Sequence, residues 1–296
     1  MPDHITPSGI ASHFHHFVLV CAGFIGASVA QGLLEAGCEV LGVDSLNDYY
    51  DVGLKQYRLK PLLNHSRFSF VQGDLSDGQI VDLLFAQHDF DCVLHLAAQA
   101  GVRYSLENPG AYIQSNIVSF QHLIGACRAK PPAHLVFASS SSVYGNSDRE
   151  WFSKTDPTDT PVSLYAATKK FNEIVARSYA HLHGLPSTGL RFCTVYGPAG
   201  RADMAYFVFT KAIVGGTPIQ VINEGQLERD FTYVDDFASG VAAAAATPPL
   251  DLEVPYRLPN LGNHQPVKLA DFIGTLEGLL GKEAYKQLAG MRPDDV

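Results

Sequence analysis

FVLVCAGFIG, residues 17–26, joins a short apolar run to two glycines, Gly23 and Gly26, and an Ala/Leu-rich segment follows. The two glycines have the spacing of the last two glycines in a dinucleotide-binding fingerprint. In that fingerprint one of them lets the backbone approach a pyrophosphate, and the other lets the helix pack closely on the strand. The stretch therefore predicts a strand, a tight turn and a helix whose N-terminus lies at a phosphate site.

Apolar runs recur along the first two thirds of the chain, and Ala/Leu/Glu-rich segments separate them. Strands that are apolar on both faces and alternate with helices indicate a parallel sheet covered on both sides. We therefore expect an α/β fold with a doubly wound, Rossmann-like parallel sheet that binds ligands at the carboxyl ends of its strands. The predicted strands are FVLV (17–20), EVLGV (39–43), FSFV (68–71), CVLHLA (92–97), HLVFA (134–138) and STGLRF (187–192).

The alternation of apolar runs and helical segments ends after about residue 195, where Gly, Pro and Tyr become frequent. We interpret this part as a smaller substrate lobe. The expected organisation is a poorly ordered leader over residues 1–16 and a dinucleotide-binding domain over 17–190. Residues 191–296 are expected to form mainly the substrate-binding lobe, partly interleaved with the first domain.

An acidic residue, Asp44, stands at the end of the second predicted strand. A carboxylate at this position accepts hydrogen bonds from the adenosine ribose and repels a 2′-phosphate. The sequence therefore predicts NAD, rather than NADP, as the cofactor.

The first glycine of the fingerprint is expected three residues before Gly23, and Val20 occupies that position. Either the turn lacks two residues, or the strand slides so that Val20 replaces the glycine. A β-branched residue fits poorly where a turn needs a special backbone conformation. If the turn is short, one or two N–H donors are misplaced, and we expect NAD binding to be weakened roughly 10- to 10⁴-fold. The chain would then be weakly active or inactive.

Tyr165 and Lys169 are four residues apart, which places a phenol and an ammonium on one face of a helix. A neighbouring Lys169 ammonium favours the phenolate, as would a positive nicotinamide ring, and a tyrosine pKa lowered by roughly 3 units is plausible in a dry cleft. The serine run Ser139–Ser142 follows the fifth predicted strand, on the ligand side of the sheet. A serine hydroxyl there can share the proton that the tyrosine removes from a substrate hydroxyl.

Composition excludes several other classes of protein. A net charge of −9 argues against binding to a nucleic-acid backbone. The sequence contains no run of 18 apolar residues, so we expect no membrane span. The residues before the first apolar run contain no Lys or Arg, whereas a signal peptide has a positively charged start. The cysteines form no CxxC pair, so we expect free thiols in a reducing cytoplasm and no metal site: Cys21, Cys38, Cys92, Cys127 and Cys193.

With these residues in place, the sequence resembles the extended short-chain dehydrogenase/reductases of the NAD-dependent epimerase/dehydratase family. Within that family it is most similar to the UDP-glucuronate 4-epimerases. The resemblance covers roughly residues 17–296, in order and at consistent spacing. The stretches that carry it are AGFIG, VDSLNDYYD, GDLSD, HLAAQAGVRYSLENP, YIQSN, ASSSSVYG, PVSLYAATKK, LRFCTVYGPAGRADMA and RDFTYVDD.

The resemblance implies roles for single residues. Tyr165 would be the base, Lys169 its activator and a ribose ligand, and Ser140 the hydroxyl that shares the proton. The resemblance also implies a set of residues that contact the cofactor. They are Gly23, Phe24, Ile25, Gly26, Asp44, Asn47, Asp74, Leu75, Leu96, Ala97, Ala98, Asn116, Tyr165 and Lys169. The implied substrate contacts are Arg103, Ser141, Ser142, Thr194, Arg201, Arg229 and Asp295.

Among these, the resemblance places Asp74 and Leu75 at the adenine, and Arg229 at the nucleotide diphosphate. Thr194 and Arg201 would hold a sugar carboxylate. A clamp such as Arg201 could keep the carboxylate of a β-keto acid out of the alignment that favours loss of CO₂.

The activity implied by the resemblance is inversion at C4 of a UDP-sugar, most directly UDP-glucuronate to UDP-galacturonate through a 4-keto intermediate. A 4-epimerase of neutral UDP-sugars has the same base and remains an alternative. A 4,6-dehydratase is disfavoured because Ser141 and Ser142 stand where that chemistry needs Asp and Glu.

A degenerate, non-catalytic nucleotide-binding paralogue is a further alternative, because the glycine loop is incomplete and the substrate lobe looks C-terminally shortened. The expected partners are a UDP-sugar and a second copy of the chain in a homodimer, with no nucleic acid and no membrane. The expected location is the cytoplasm.

Overall fold

The computed structural model describes residues 15–19, 21–146 and 151–290, and only the backbone of residues 15–19. The strands are β1 His15–Leu19, β2 Glu39–Asp44, β3 Phe68–Gln72, β4 Cys92–His95, β5 His134–Ser140, β6 Ser187–Phe192, β7 Thr194–Tyr196, β8 Ile219–Ile222, β9 Glu228–Tyr233, β10 Tyr256–Arg257, β11 Asn260–Leu261, β12 Pro266–Lys268 and β13 Lys286–Ala289. The α-helices are α1 Phe24–Glu35, α2 Val52–Leu63, α3 Gly78–Gln87, α4 Tyr104–Glu107, α5 Pro109–Tyr112, α6 Ser119–Ala129, α7 Leu164–His183, α8 Ala205–Gly215, α9 Val234–Ala245 and α10 Leu269–Leu280.

The six predicted strands form one parallel sheet, in the order β3-β2-β1-β4-β5-β6, and β10 and β11 pair with the far side of β6. The order reverses between β1 and β4, which is the topology of a doubly wound sheet and confirms the predicted fold class. In such sheets the ligand crevice lies beyond the carboxyl ends of the strands at the reversal point.

Both faces of the sheet are covered by helices, which explains why its strands are apolar throughout. All residues of β4 and β5 are buried. On one face, Val29 and Leu33 of α1 pack with Phe237 of α9, and on the other, Phe85 of α3 packs with Phe120 of α6. Each fully buried side chain of this size contributes about 1.5–3 kcal/mol of transfer free energy. No helix in the described residues is long and apolar enough to cross a bilayer.

The chain after residue 190 builds a smaller lobe and also returns to the first sheet. In the lobe, β9 pairs with β7 and β12, and β8 pairs with β13. A small core of Ile219, Val221 and Ile273 holds β8 to α10. By contrast, α9 packs on α1, and β10 and β11 extend the main sheet.

A buried ion pair ties α7 to the main sheet just below the crevice. Arg191 of β6 donates from Nε to Glu173 Oε1 at 2.8 Å and from Nη2 to Oε2 at 3.0 Å. Both side chains are at most 4% exposed. The Ser139 hydroxyl also donates to Glu173 at 2.7 Å, and Arg191 donates to the Tyr144 hydroxyl at 2.9 Å. The pair therefore connects α7, β5 and β6 where the serine run begins.

We expect Arg191→Met to lower the free energy of unfolding by about 3–5 kcal/mol, because it leaves the Glu173 carboxylate buried without its partner. The double variant Arg191→Met/Glu173→Leu should recover much of that loss, since an apolar pair carries no desolvation cost. Urea unfolding of the three proteins measures both values. Equal stabilities of the single and double variants would show that the two charges are not energetically coupled.

Candidate active site

One large cleft lies between the carboxyl edge of the main sheet and the smaller lobe. Its volume is about 1520 Å³, more than the roughly 300–1,000 Å³ of an ordinary small-molecule pocket. Residues after β2, β4 and β5 line one side, and residues of β7, β9 and α8 line the other. The cleft is large enough for two ligands placed end to end.

The turn between β1 and α1 has the full length of the fingerprint. β1 begins at His15, two residues before the predicted start at Phe17, and ends at Leu19. Residues 20–23 then connect it to α1, so Val20, which lies outside the described residues, stands at the position of the first glycine. The spacing of β1 and α1 favours the interpretation in which the strand slides so that Val20 replaces the glycine. The expected weak NAD binding and low activity stay predictions.

The N-terminus of α1 faces the cleft without a capping side chain. Gly23 precedes the helix in an extended conformation, with φ −70° and ψ 162°, and no side chain bonds the first turn. Residues Gly23, Phe24, Ile25 and Gly26 line the cleft, as predicted for the cofactor side. The N–H groups of a first helical turn have no partner within the helix, and the helix dipole favours an anion there. This end of the cleft fits a pyrophosphate.

Asp44 holds the turn through two hydrogen bonds, and its carboxylate can accept further hydrogen bonds from a ligand. Its carboxylate accepts from the N–H of Ala22 at 3.2 Å and from that of Leu46 at 2.8 Å. Burial raises the pKa of Asp44, while the two N–H bonds and the charge of Lys55 act in the opposite direction. A carboxylate has about four lone-pair sites, so two remain for hydroxyl groups. The remaining acceptor sites therefore fit the ribose hydroxyl groups of NAD.

Sequence reasoning missed Arg58, which links the glycine turn to the loop before Arg201. Its guanidinium is buried and donates to the carbonyl of Ala22 at 3.3 Å, in the glycine turn. It also donates to the carbonyls of Ala199 at 2.8 Å and Gly200 at 3.1 Å, immediately before Arg201. An arginine offers five N–H donors in a rigid fork, and here the fork holds two loops at a fixed separation.

Most of the predicted cofactor contacts line the cleft, and one does not. Asn116 is fully buried and absent from the wall of the cleft. Its side chain instead binds both backbone groups of Gln99, at 2.8 and 3.1 Å, and the Thr168 hydroxyl at 2.9 Å. In this arrangement Asn116 supports the loop after β4, and its predicted cofactor contact stays a prediction. The residues that do line the cleft are Asn47, Asp74, Leu75, Leu96, Ala97 and Ala98.

Tyr165 reaches the cleft because α7 begins just before it. Ser163 caps the helix by accepting from the N–H of Ala166 at 3.1 Å, which puts Tyr165 in the first turn and Lys169 one turn later. Ser140, at the end of β5, lies on the same wall of the cleft. The predicted proton-handling residues are thus brought together.

The pKa of Tyr165 depends on burial and on two neighbouring groups. Burial raises it, while the hydrogen bond from Ser140 and the charge of Arg201 act in the opposite direction. The Lys169 ammonium instead donates to the carbonyl of Ala138 at 2.9 Å. Lys169 is directed towards β5 and does not contribute to the pKa of Tyr165 in this arrangement, so the predicted lowering of that pKa stays a prediction.

Arg201 lies at the same end of the cleft as Tyr165 and already has a partner. It donates from Nε and Nη2 to the two oxygens of Asp203, at 3.0 and 2.5 Å. The Tyr49 hydroxyl donates to the same carboxylate at 3.1 Å. Sequence reasoning missed this pairing, although the short spacing of Arg201 and Asp203 was a visible signal.

The other predicted substrate contacts have different outcomes. Arg103, Ser141, Ser142, Thr194 and Arg229 line the cleft. Arg229 donates to the carbonyl of Glu228 at 2.8 Å. Asp295 lies outside the described residues, so its predicted contact stays a prediction.

The parallel sheet, the uncapped helix N-terminus and the Tyr-Lys-Ser group define a Rossmann-type enzyme with a nicotinamide cofactor. Residues 18–253 match the NAD dependent epimerase/dehydratase family. The chain belongs to this family.

Relatives and solved structures agree with this assignment. The chain is 46% identical over 279 residues to UDP-glucuronate 4-epimerase 2 of Arabidopsis thaliana, covering 90% of this chain and 64% of that protein. It is 42% identical over 289 residues to a probable UDP-glucuronate 4-epimerase of Rhizobium meliloti, covering 93% and 85%. The UDP-glucuronic acid 4-epimerase of Bacillus cereus, solved with UDP-glucuronic acid and NAD, matches with a TM-score of 0.87 and 32% identity, covering 95% and 88%.

Because the glycine turn already has full length, inserting Thr-Gly between Val20 and Cys21 should weaken NAD binding. The insertion displaces the Ala22 backbone from Asp44 and Arg58, and each such charged hydrogen bond is worth about 1.5–3 kcal/mol. We expect roughly 10- to 100-fold weaker binding by calorimetry, whereas Val20→Gly should strengthen it. A gain in NAD occupancy from the insertion would restore the shortened-turn interpretation.

Lys169 should make the stability of the protein depend on pH. Burial lowers its pKa from 10.5 to about 7, so the unfolded chain binds this proton more strongly than the folded chain. The destabilisation is complete below pH 7 and is relieved as the pH rises from about 7 to about 10.5. His95 beside it stays neutral in this range, because burial lowers its pKa to about 3.

We therefore expect Lys169→Met to stabilise the ligand-free protein more at pH 6 than at pH 9, by a difference on the order of 2 kcal/mol. Chemical unfolding at both pH values measures it. The exposed Lys60 of α2 offers the matched control, Lys60→Met, for which no such difference is expected. An equal effect of Lys169→Met at both pH values would contradict the buried charge.

Proposed function

We propose that this chain interconverts UDP-glucuronate and UDP-galacturonate by NAD-dependent inversion at C4 of the sugar. The observation that carries the proposal is the content of a single cleft. One end has the uncapped N-terminus of α1 and Asp44, and the other has Tyr165, Ser140 and Arg201. A dinucleotide and a nucleotide-sugar can meet between these ends.

The family and the named relatives support both the cofactor and the sugar. NAD, when bound, supplies the chemistry of accepting a hydride and returning it. Gly23–Gly26 would hold its pyrophosphate, Asp44 its adenosine ribose, and Lys169 its second ribose. Asp74 and Leu75 border the cleft where the adenine would lie.

Tyr165 handles the proton in this proposal. Its phenolate takes the proton from the 4-hydroxyl of the sugar, and the resulting hydroxyl gives it back in the reverse step. Burial opposes the phenolate that this needs, and the Ser140 hydrogen bond and the Arg201 charge favour it. A positive nicotinamide ring beside the phenol would favour it further.

We assign Arg201 and Thr194 to the carboxylate of the sugar, and Ser141 and Ser142 to the same neighbourhood. Arg229 and Arg103 are assigned to the nucleotide diphosphate. Their positions on the wall of the cleft support these assignments.

A neutral UDP-sugar is the second candidate substrate, since the proton chemistry would be identical. The Arg201 guanidinium favours the uronate, because a neutral hexose leaves it without a new partner. A non-catalytic nucleotide-binding role receives less support, because the glycine turn has full length and Tyr165, Lys169 and Ser140 share one wall.

We further propose that the protein is a cytoplasmic homodimer. The cysteines Cys21, Cys38, Cys92, Cys127 and Cys193 are free, which supports a reducing compartment. On α7, Ile174 is 59% and Leu182 66% exposed. Exposed apolar side chains on a long helix support a contact with a second copy.

The proposed function is tested by turnover of UDP-glucuronate and UDP-glucose, followed by chromatography of the products. We expect the natural chain to convert UDP-glucuronate preferentially, and Tyr165→Phe to lower turnover by roughly 10² or more with NAD content retained. Arg201→Ala should weaken the binding of UDP-glucuronate by about 2–5 kcal/mol and the binding of UDP-glucose far less. Near-normal turnover by Tyr165→Phe, or equal losses for both sugars with Arg201→Ala, would overturn the assignments.

A further inference from the structure

The loop after β4 carries a buried amide that no part of the described chain satisfies. Gln99 is 6% exposed and lines the cleft. The geometry leaves its Nε2 atom without a hydrogen-bond partner among the described residues. The side chain does lie close enough to the Tyr112 hydroxyl to counteract the rise in pKa that burial causes there. Buried polar atoms are nearly always paired in folded proteins, so one left unpaired in the wall of a ligand cleft points to a partner supplied by the ligand.

The backbone of Gln99 is held from both sides, which limits how far its side chain can withdraw. The Asn116 side chain accepts from the Gln99 N–H at 2.8 Å and donates to the Gln99 carbonyl at 3.1 Å. Asn116 is itself held by Thr168 of α7, the residue before Lys169. The backbone of Gln99 is therefore fixed relative to the helix that carries Tyr165.

The neighbours of Gln99 place it at the sugar end of the cleft. It lies beside the hydroxyl of Tyr112, whose ring meets that of Tyr165 edge-on at 6.3 Å between centroids. Two residues further along, a methyl group added to Gly101 would collide with the Tyr49 hydroxyl and come within 3.5 Å of Asp203 Oδ2. The loop that carries Gln99 thus packs directly against the Arg201–Asp203 pair.

Because Arg201 is paired with Asp203, a sugar carboxylate needs a further hydrogen-bond donor in order to bind beside the pair. Asp203 takes up both Nε and Nη2 of Arg201, so the two charges largely cancel. A substrate carboxylate that approaches Arg201 also meets the negative Asp203. An uncharged N–H donor beside the pair supplies attraction without adding a charge to a desolvated site.

We propose that the Gln99 side-chain amide donates a hydrogen bond to the carboxylate of the sugar and so acts as a residue that determines specificity for uronates. This inference rests on the proposed function, since it requires a uronate in the cleft. The recognised chemistry is an anionic carboxylate on the hexose, and neither the nucleotide nor the cofactor takes part.

Calorimetric titration of the NAD-loaded protein with UDP-glucuronate, UDP-glucose and UDP tests the proposal. Gln99→Met keeps the length of the side chain and removes the amide, and Gln99→Glu keeps the shape and adds a negative charge. Gln31→Met, at a half-buried position of α1, is the matched control for the loss of an amide away from the cleft. Melting temperature and NAD content of each variant check the fold.

We expect Gln99→Met to raise the Kd for UDP-glucuronate about 10-fold or more, and the Kd for UDP-glucose and UDP less than about 2-fold. Gln99→Glu should raise the Kd for UDP-glucuronate further, because the new carboxylate repels the carboxylate of the sugar. If Gln99→Met loses its fold or NAD, the isosteric Gln99→Glu alone decides between the outcomes.

Equal changes for all three ligands, or none, would overturn the role of Gln99 while the natural chain still turns over UDP-glucuronate. A natural chain that neither binds UDP-glucuronate more tightly than UDP nor converts it would overturn the proposed function, and the role of Gln99 with it. The two failures are therefore distinguishable.

Discussion

The ion pair between Glu173 and Arg191 is the interaction on which the geometry of the cleft most depends. Glu173 lies on the same face of α7 as Tyr165 and Lys169, one turn after the lysine. Arg191 reaches it from β6, and Ser139 reaches it from β5. Burying two charges costs several kcal/mol unless all their hydrogen bonds are made. That condition allows one register of α7 against the sheet, and this register aligns the phenol with the serine run.

Arg58 gives the other fixed relation in the cleft, and it acts between regions far apart in sequence. It holds Ala22 in the glycine turn and Gly200 before Arg201 with one rigid fork. The glycine turn and the loop before Arg201 are therefore held together by one side chain from α2. This arrangement connects the cofactor side to the substrate side through backbone carbonyls, so it is independent of the side chains that would contact either ligand.

The sequence allowed prediction of those features that depend on local pattern. Strands buried on both faces are continuous apolar runs, and Tyr165, Lys169 and Ser140 are identified by spacing within one helix and one strand end. The start of β1 was missed because His15 and His16 are polar, and only pairing with β2 and β4 reveals them as strand.

Other features depend on partners that are distant in sequence. Arg58 binds a carbonyl 142 residues away, and Tyr49 binds a carboxylate 154 residues away. No periodicity encodes such contacts. For a related reason, spacing shows that a lysine is near Tyr165 but not that its ammonium is turned towards the Ala138 carbonyl.

A chain with a net charge of −9 has to attract a dinucleotide and a nucleotide-sugar, both anionic, by local means. At the cofactor end the attraction comes from helix N–H groups, which carry no formal charge and cost little to bury. At the end of the cleft where the sugar is proposed to bind, Arg201 is largely neutralised by Asp203, so its net charge would not select a uronate at long range. Selection there depends on short, directional hydrogen bonds in a desolvated site, where each donor discriminates strongly and a misplaced charge is costly. The same constraint explains why the polar groups around Arg201 are held so firmly by backbone contacts.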